Sequence, residues 1–205
     1  MRLATLVPVK EFGAAKQRLA PVLDDHHREA LARATASGVL EAVAAHHPHV
    51  VCDDDQVASW ALSQGATVIR DTHRGLNPAI DLAIAALAEH GFDHVLIAHS
   101  DLPRPGALAR LAASARGGHI VLVPDRHLDG TNALLMPIGC GVAAAYGAGS
   151  FRRHLTAALG SGHPVSVVRD VELALDIDQP DDLLHPLVRP AVERFLGHGG
   201  TVRPR

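Results

Sequence analysis

Short apolar runs alternate with helical patterns along most of this chain, and this alternation constrains the fold more than any other feature. The runs are too short for helices and end at glycine, proline or polar residues, which is typical of buried strands. Alternation of this kind favours an α/β fold with a mainly parallel sheet covered by helices on both faces. The predicted strands are residues 3–9, 50–52, 65–69, 95–98, 119–123, 133–136 and 165–168.

Length and composition exclude several classes of protein. The 205 residues are 47% hydrophobic, so we predict one domain over 1–196 and a flexible tail over 197–205. A formal charge of −3 and an aromatic content of 3% do not indicate a nucleic-acid-binding surface. We also expect no membrane span, because no apolar run approaches the ~20 residues required. Two cysteines without paired spacing and no cleavable signal pattern predict a cytoplasmic protein without structural disulfides.

The predicted strand 95–98 leads directly to Asp101, and Pro103 keeps the sheet from continuing. Ligands of open α/β sheets collect at the carboxyl ends of strands. A carboxylate there suits Mg²⁺, which accepts one or two carboxylates together with waters and substrate phosphates. The alternative is that Asp101 only caps the following helix, since Asp is a preferred cap.

A second acidic feature lies near the end of the chain. Asp176 and Asp178 flank Ile177, so in extended backbone both carboxylates lie on one face. They repeat the chemistry of Asp101 ahead of a helix that begins at Pro180.

A cationic loop follows the first predicted strand. Lys10, Lys16 and Arg18 lie within nine residues and share the loop with Gly13. Three cations at a strand end would neutralise a triphosphate, although a solvated basic loop is equally consistent with the charges. The Walker pattern is absent.

Glycine-containing turns supply two further candidate sites. Gly75 permits close approach of the backbone to a planar ligand, whose edge Asn77 could contact. Asn77 is also placed to cap the helix that begins at Pro78. Gly147 and Ser150 form a glycine-rich helix start, with Ser150 as the predicted N-cap and unpaired amides that favour an anion.

A polar hairpin is predicted between two apolar strands. Asp129 and Gly130 form a strong hairpin signal, and Thr131 and Asn132 would project beside the sheet. Such a hairpin usually serves only as a turn.

Together these motifs resemble the 2-phospho-L-lactate guanylyltransferase family, whose bacterial branch includes phosphoenolpyruvate and 3-phospho-D-glycerate guanylyltransferases. The resemblance spans roughly residues 3–187 and implies a Rossmann-like α/β/α sandwich of the GT-A nucleotidyltransferase type. It is carried by Pro8-Val9-Lys10, Lys16 with Arg18, Gly75-Leu76-Asn77, Ser100-Asp101-Leu102-Pro103, Asp125-Arg126 with Gly130-Thr131, Gly147 with Ser150, and Asp176-Ile177-Asp178 with Pro180 and Asp182-Leu183.

The resemblance implies transfer of GMP from GTP to a phosphorylated three-carbon acid, with release of pyrophosphate, in coenzyme F-420 biosynthesis. The acid could be phosphoenolpyruvate, 3-phospho-D-glycerate or 2-phospho-L-lactate, which share phosphate and carboxylate groups. By the same resemblance, GTP phosphates and nucleoside are bound by Lys10, Lys16, Arg18, Gly75, Leu76 and Asn77.

The resemblance also implies the remaining roles. Asp101, with Asp176 or Asp178, would hold Mg²⁺, and Lys16 and Arg18 would join Asp101 in catalysis. The phospho-acid would be bound by Thr131, Gly147 and Ser150.

Two other functions fit the motifs less well. One is a nucleotidyltransferase acting on molybdopterin or a sugar phosphate, although such enzymes usually open with a glycine-rich loop that residues 8–16 lack. The other is a non-catalytic nucleotide-binding domain. The sequence leaves the oligomeric state open, with a homodimer as one option.

Overall fold

Seven strands form a single sheet in the computed structural model, which describes residues 1–71 and 75–196, with side chains up to Glu193. The predicted tail, 197–205, lies outside the described residues. The strands are β1 (Leu3–Pro8), β2 (Pro48–Cys52), β3 (Thr67–Arg70), β4 (His94–Ala98), β5 (Ile120–Pro124), β6 (Thr131–Pro137) and β7 (Val165–Val167).

The strand order is β3-β2-β1-β4-β6-β5-β7. All pairings within it are parallel except those of β6, which runs antiparallel to both β4 and β5. The prediction of a mainly parallel α/β sandwich is therefore confirmed. The carboxyl ends of β1, β2 and β4 lie at the same edge of the sheet, because these strands are parallel.

Helices cover both faces of the sheet. Asp24 and Asp54 cap the first two through the backbone amides of His27 and Val57, each at 2.8 Å. Among residues 1–71 and 75–196, no helix is both long and apolar enough to cross a bilayer. The helices are α1 (Asp25–Ala42), α2 (Asp55–Ser63), α3 (Leu76–Glu89), α4 (Leu108–Ala113), α5 (Ser150–Gly160) and α6 (Arg189–Leu196), with short 3-10 turns at Gln17–Leu19, Pro105–Ala107 and Pro180–Leu184.

The buried side chains form three apolar clusters. Leu96 of β4 packs with α1, α2 and α4 on one face of the sheet, whereas its neighbour Ile97 packs with α3 and α5 on the other. The smallest, which we call the third cluster, joins the loop after β1 to α1, to α6 and to residues 173–178, which we call the late acidic segment. Its members are Leu19, Leu23, Leu31, Leu175, Ile177, Leu183, Val188 and Val192.

The side-chain caps predicted for α3 and α5 are both wrong. The N-cap of α3 is Gly75, at φ 113°, and the N-cap of α5 is Gly149, at φ 72°. These positive φ angles favour glycine, so Asn77 and Ser150 fall inside the first turn of their helices.

The predicted hairpin between β5 and β6 is confirmed, but its turn is built differently from the Asp-Gly signal. The carboxylate of Asp125 accepts hydrogen bonds from the amides of His127, Asp129 and Gly130 at 2.9, 3.0 and 2.7 Å. A Cβ at Gly130 would lie 2.8 Å from Asp125 Oδ2. Glycine is therefore needed there for close approach, and Leu128 takes the left-handed conformation at φ 60°.

Candidate active site

A cleft of about 1150 Å³ opens where β1, β2 and β4 end. It collects all but one of the residues to which the sequence assigns a catalytic, substrate-binding or metal-binding role, although they lie far apart along the chain; the exception is Asn77. The cleft residues from that set are Lys10, Lys16, Arg18, Gly75, Leu76, Asp101, Thr131, Gly147, Ser150, Asp176 and Asp178.

Lys16 ties three segments together at the floor of this cleft. Its Nζ donates to Asp101 Oδ2 at 3.0 Å and to the carbonyl oxygen of Ile177. The side chain is only 8% exposed, and its backbone takes the left-handed conformation at φ 55°. The cationic loop, the end of β4 and the late acidic segment are thus joined by one ammonium group.

Asp101 is an ionised carboxylate with coordination capacity left over. Burial disfavours its charge, but Lys16 and His99 outweigh burial and hold the pKa of Asp101 below its ordinary value. Its Oδ1 is buried and has no hydrogen-bond partner within the described part of the chain. An unpartnered anionic oxygen at this position is suited to a cation.

The pKa of Asp176 is shifted in the opposite direction from that of Asp101. Burial, followed by the nearby charges of Asp101 and Asp182, raises the pKa of Asp176 from 3.8 to about 7. A bound cation would relieve this repulsion. In residues 1–71 and 75–196, however, no three His, Cys, Asp or Glu side chains form a complete ion site, so waters or substrate oxygens would have to supply further ligands.

Arg18 and Asp178 bind each other at the exposed rim of the cleft. The sequence assigned Arg18 to the GTP phosphates and Asp178 to the metal. Full engagement of either side chain with a ligand would compete with this ion pair, and opening the pair costs little because exposed pairs contribute about 0–1 kcal/mol.

The side chain of Asn77 is half-buried and already bonded to another segment of the chain. Its Nδ2 donates to the carbonyl oxygen of Tyr146 at 3.2 Å, and its Oδ1 accepts from the Tyr146 amide at 2.7 Å. This exchange fixes the start of α3 against the segment that leads to Gly147. The nucleoside contact of Asn77 stays a prediction, and it would compete with these two bonds.

The start of α5 differs from the free anion site that the sequence predicts. The amide of Gly149 already donates to both carboxylate oxygens of Asp129, at 3.0 Å each. Gly147 and Ser150 still line the cleft beside it. An internal carboxylate thus neutralises part of the positive helix end.

Comparison with known proteins identifies the family. The family model described as guanylyl transferase CofC like matches residues 3–191. The chain belongs to this guanylyl transferase CofC-like family. It is a nucleotidyltransferase.

Relatives of the family cover nearly the whole chain. A phosphoenolpyruvate guanylyltransferase of Roseiflexus sp. strain RS-1 is 36% identical over 190 residues, covering 90% of this chain and 84% of that protein. A 2-phospho-L-lactate guanylyltransferase of Methanothermobacter thermautotrophicus is 32% identical over 188 residues, covering 89% and 83%. A solved nucleotidyl transferase of the same genus shares the fold, with a TM-score of 0.67, 17% identity and coverage of 94% and 99%.

Sequence reasoning names Asn132 and Asp182 without giving either a role, and it misses His154, although all three shape the cleft of this CofC-like chain. Asn132 donates from Nδ2 to the carbonyl oxygen of Leu173 at 3.0 Å, which joins β6 to the late acidic segment. His154 lies behind Thr131, and Asp182 anchors the acidic segment. His154 had a detectable signal, because it lies four residues after Ser150 and therefore on the same helix face.

Asp182 anchors the segment that carries the two late carboxylates. Its buried carboxylate accepts from the amides of Asp178 and Gln179, at 2.7 and 2.6 Å, and binds Arg126. The conformation of this segment therefore depends on one side chain.

Asp182→Ala is expected to lower the free energy of unfolding by about 2 kcal/mol or more, because it leaves two amides and the guanidinium of Arg126 without their acceptor. Urea unfolding measures the loss, and Asp181→Ala, an exposed neighbour in the same turn, is the matched control. Equal losses in the two variants would contradict the anchoring role.

Asp176→Asn is expected to stabilise the metal-free protein at pH above 7. Because the pKa of Asp176 is raised from 3.8 to about 7, the folded state binds more protons than the unfolded state between these values, and wild-type stability falls as pH rises through that window. The advantage of the variant therefore grows over the same window and levels off above it. Urea unfolding in chelator across this pH range measures it, and a pH-independent difference would contradict the repulsion.

Proposed function

We propose that this chain transfers GMP from GTP to phosphoenolpyruvate or a closely similar phosphorylated three-carbon acid, releasing pyrophosphate, as a step of coenzyme F-420 biosynthesis. The observation that supports the proposal is that the bonded pair Lys16 and Asp101 lines the same cleft as Thr131, Gly147 and Ser150. Phosphoenolpyruvate is favoured as acceptor by the names of several relatives that are about 35% identical.

The reaction is a displacement at phosphorus. A phosphate oxygen of the acid attacks the α-phosphorus of GTP, the bond between that phosphorus and the α,β-bridging oxygen breaks, and pyrophosphate leaves with the electron pair. The attacking oxygen is already anionic at neutral pH, so no general base is needed. The protein must align the two molecules and neutralise their charges.

One set of residues in the cleft would bind GTP. Lys10 and Lys16, with Arg18 once released from Asp178, would hold the phosphates of GTP. Gly75 and Leu76 would lie against the nucleoside, where the absence of a side chain at Gly75 permits close approach.

Other groups would position the acid and the metal. Thr131, Gly147 and Ser150 would hold the acid so that its phosphate oxygen faces the α-phosphorus. The residues also fit a magnesium ion, because Asp101 has a buried oxygen without a partner in the described part of the chain, and because burial and neighbouring negative charge destabilise the ionised form of Asp176. Asp101, with Asp176 or Asp178, would hold the ion. When bound, Mg²⁺ supplies positive charge that stabilises the transferring phosphoryl group and the leaving pyrophosphate.

The test is pyrophosphate release from GTP in the presence of each of the three acids, first singly and then in competition. We expect release with phosphoenolpyruvate, together with a product whose mass equals the acid plus a guanylyl group. Release with CTP or ATP but not GTP would contradict the nucleotide assignment. No release with any of the three acids would reject the proposed reaction.

A further inference from the structure

His154 is a fully buried histidine that connects the wall of the cleft to a fixed backbone segment. It lies in α5 with 0% of its surface exposed. The Ala145 amide lies 3.0 Å from His154 Nε2, and Thr131 Oγ1 lies 2.9 Å from Nδ1. Thr131 itself lines the cleft.

These two contacts determine the tautomer of the ring. A backbone N–H can only donate, so Nε2 accepts from Ala145 and carries no proton. Burial, reinforced by the charge of Arg153, lowers the pKa of His154 to about 4, so the imidazole is neutral near pH 7. Its single proton is therefore on Nδ1, and Nδ1 donates to Thr131 Oγ1.

The tautomer in turn orients the Thr131 hydroxyl. Because Oγ1 accepts from His154, the hydroxyl hydrogen must point elsewhere. Within residues 1–71 and 75–193 the Thr131 hydroxyl has no second hydrogen-bond partner. Thr131 is only 1% exposed but lines the cleft together with Gly147 and Ser150, so we take an acceptor bound in the cleft as the partner of this hydrogen.

The packing around His154 holds this arrangement in place. The ring of Tyr146 lies 4.7 Å from the His154 ring, edge to face. Asn77 clamps the backbone of Tyr146, the residue next to Ala145, from both its amide and its carbonyl. The donor that defines the tautomer is therefore itself fixed by α3.

We propose that His154 is a positioning residue, which keeps the Thr131 hydroxyl as a hydrogen-bond donor to an anionic oxygen of the acceptor acid. This inference rests on the proposed function, because it assigns the partner of Thr131 in that reaction. The opposite tautomer, with the proton on Nε2, would make Thr131 donate to Nδ1 and would remove a donor from the substrate.

Two conservative variants separate the two contacts of the ring. His154→Asn places an amide nitrogen near the position of Nδ1 and can still donate to Thr131. His154→Gln can place its carbonyl oxygen near the position of Nε2, so it keeps the bond from Ala145 and loses the donor. We expect His154→Gln to raise KM for phosphoenolpyruvate about tenfold, the effect of about 1.4 kcal/mol. His154→Asn should stay within about threefold of wild type, and KM for GTP should change in neither.

A double-mutant cycle tests whether His154 acts through the hydroxyl. In a Thr131→Val background the hydroxyl is absent, so we expect His154→Gln to cause no further rise in KM for the acid. A full additional tenfold rise, or equal rises in KM for both substrates, would show a merely structural role and overturn the proposal.

The tautomer can also be measured by NMR, independently of activity, from the ¹⁵N chemical shifts and two-bond couplings of the histidine rings in the wild-type chain. The spectrum of His154→Asn assigns the signals of His154. We expect the Nδ1–H form, and the Nε2–H form would overturn the proposal. No pyrophosphate release by the wild type rejects the proposed function. An active wild type with the Nε2–H tautomer, or with equal effects of the Asn and Gln variants, rejects only the role of His154.

Discussion

Asp101→Asn is expected to reduce the rate of pyrophosphate release at saturating GTP and acid by about 10³-fold or more. The carboxylate is ionised, its Oδ1 has no hydrogen-bond partner among the residues that the structure describes, and it holds the ammonium of Lys16 in the cleft. An amide has nearly the same shape but carries no charge for a cation. It also leaves Lys16 without its counter-charge.

Asp181→Asn is the control for this change. Asp181 is an exposed acid in the Pro180–Leu184 turn and does not line the cleft, so the rate should be unchanged. Thermal unfolding of Asp101→Asn checks that the loss is catalytic. If this variant still binds GTP and turns over at the wild-type rate, the chain is not an enzyme of the proposed kind.

Lys16→Met should reduce kcat/KM for GTP by about 10²-fold or more. The substitution keeps much of the apolar stem but removes the ammonium that joins Asp101 to the carbonyl of Ile177. Asp101 then loses its main counter-charge, so burial raises the pKa of Asp101 and the carboxylate becomes a poorer cation ligand.

Lys10→Met provides the comparison in the same loop. Lys10 is exposed, and its loss should lower kcat/KM by only about threefold, as expected for a solvent-screened charge. Steady-state rates at two salt concentrations separate the two lysines, because only the Lys10 effect should shrink at high salt. Equal losses in both variants would show that the burial of Lys16 is irrelevant.

The sheet and the location of the cleft could be predicted because they follow from local patterns. Short apolar runs separated by helical periodicity predict parallel strands, and the chemistry of such sheets lies where strands end. Asp101 therefore lines the cleft where the strand pattern predicts it. Asp176 and Asp178 reach the same cleft from the far end of the chain, since alternation places both on one face.

The partners of the individual side chains could not be predicted, because each partner lies far away in sequence. The amide of Asn77 is bound by a residue 69 positions later, and Arg18 by one 160 positions later. The local sequence around Asn77 is typical of a helix cap, and that around Arg18 is typical of an unpaired cation, so neither sequence indicates the distant partner. The position of β6 between β4 and β5 could not be predicted either, because it depends on tertiary packing and not on a local pattern.

The third cluster gives α6 a role in supporting the cleft, although none of the described residues of α6 lines it. Val188 and Val192 pack in the same apolar group as Leu19, next to Arg18, and Ile177, between the two late carboxylates. Deletion of the chain from Val188 onward would thus expose the apolar side of both cleft-lining segments at once. A truncation or destabilisation of α6 should therefore lower the turnover rate before it unfolds the sheet.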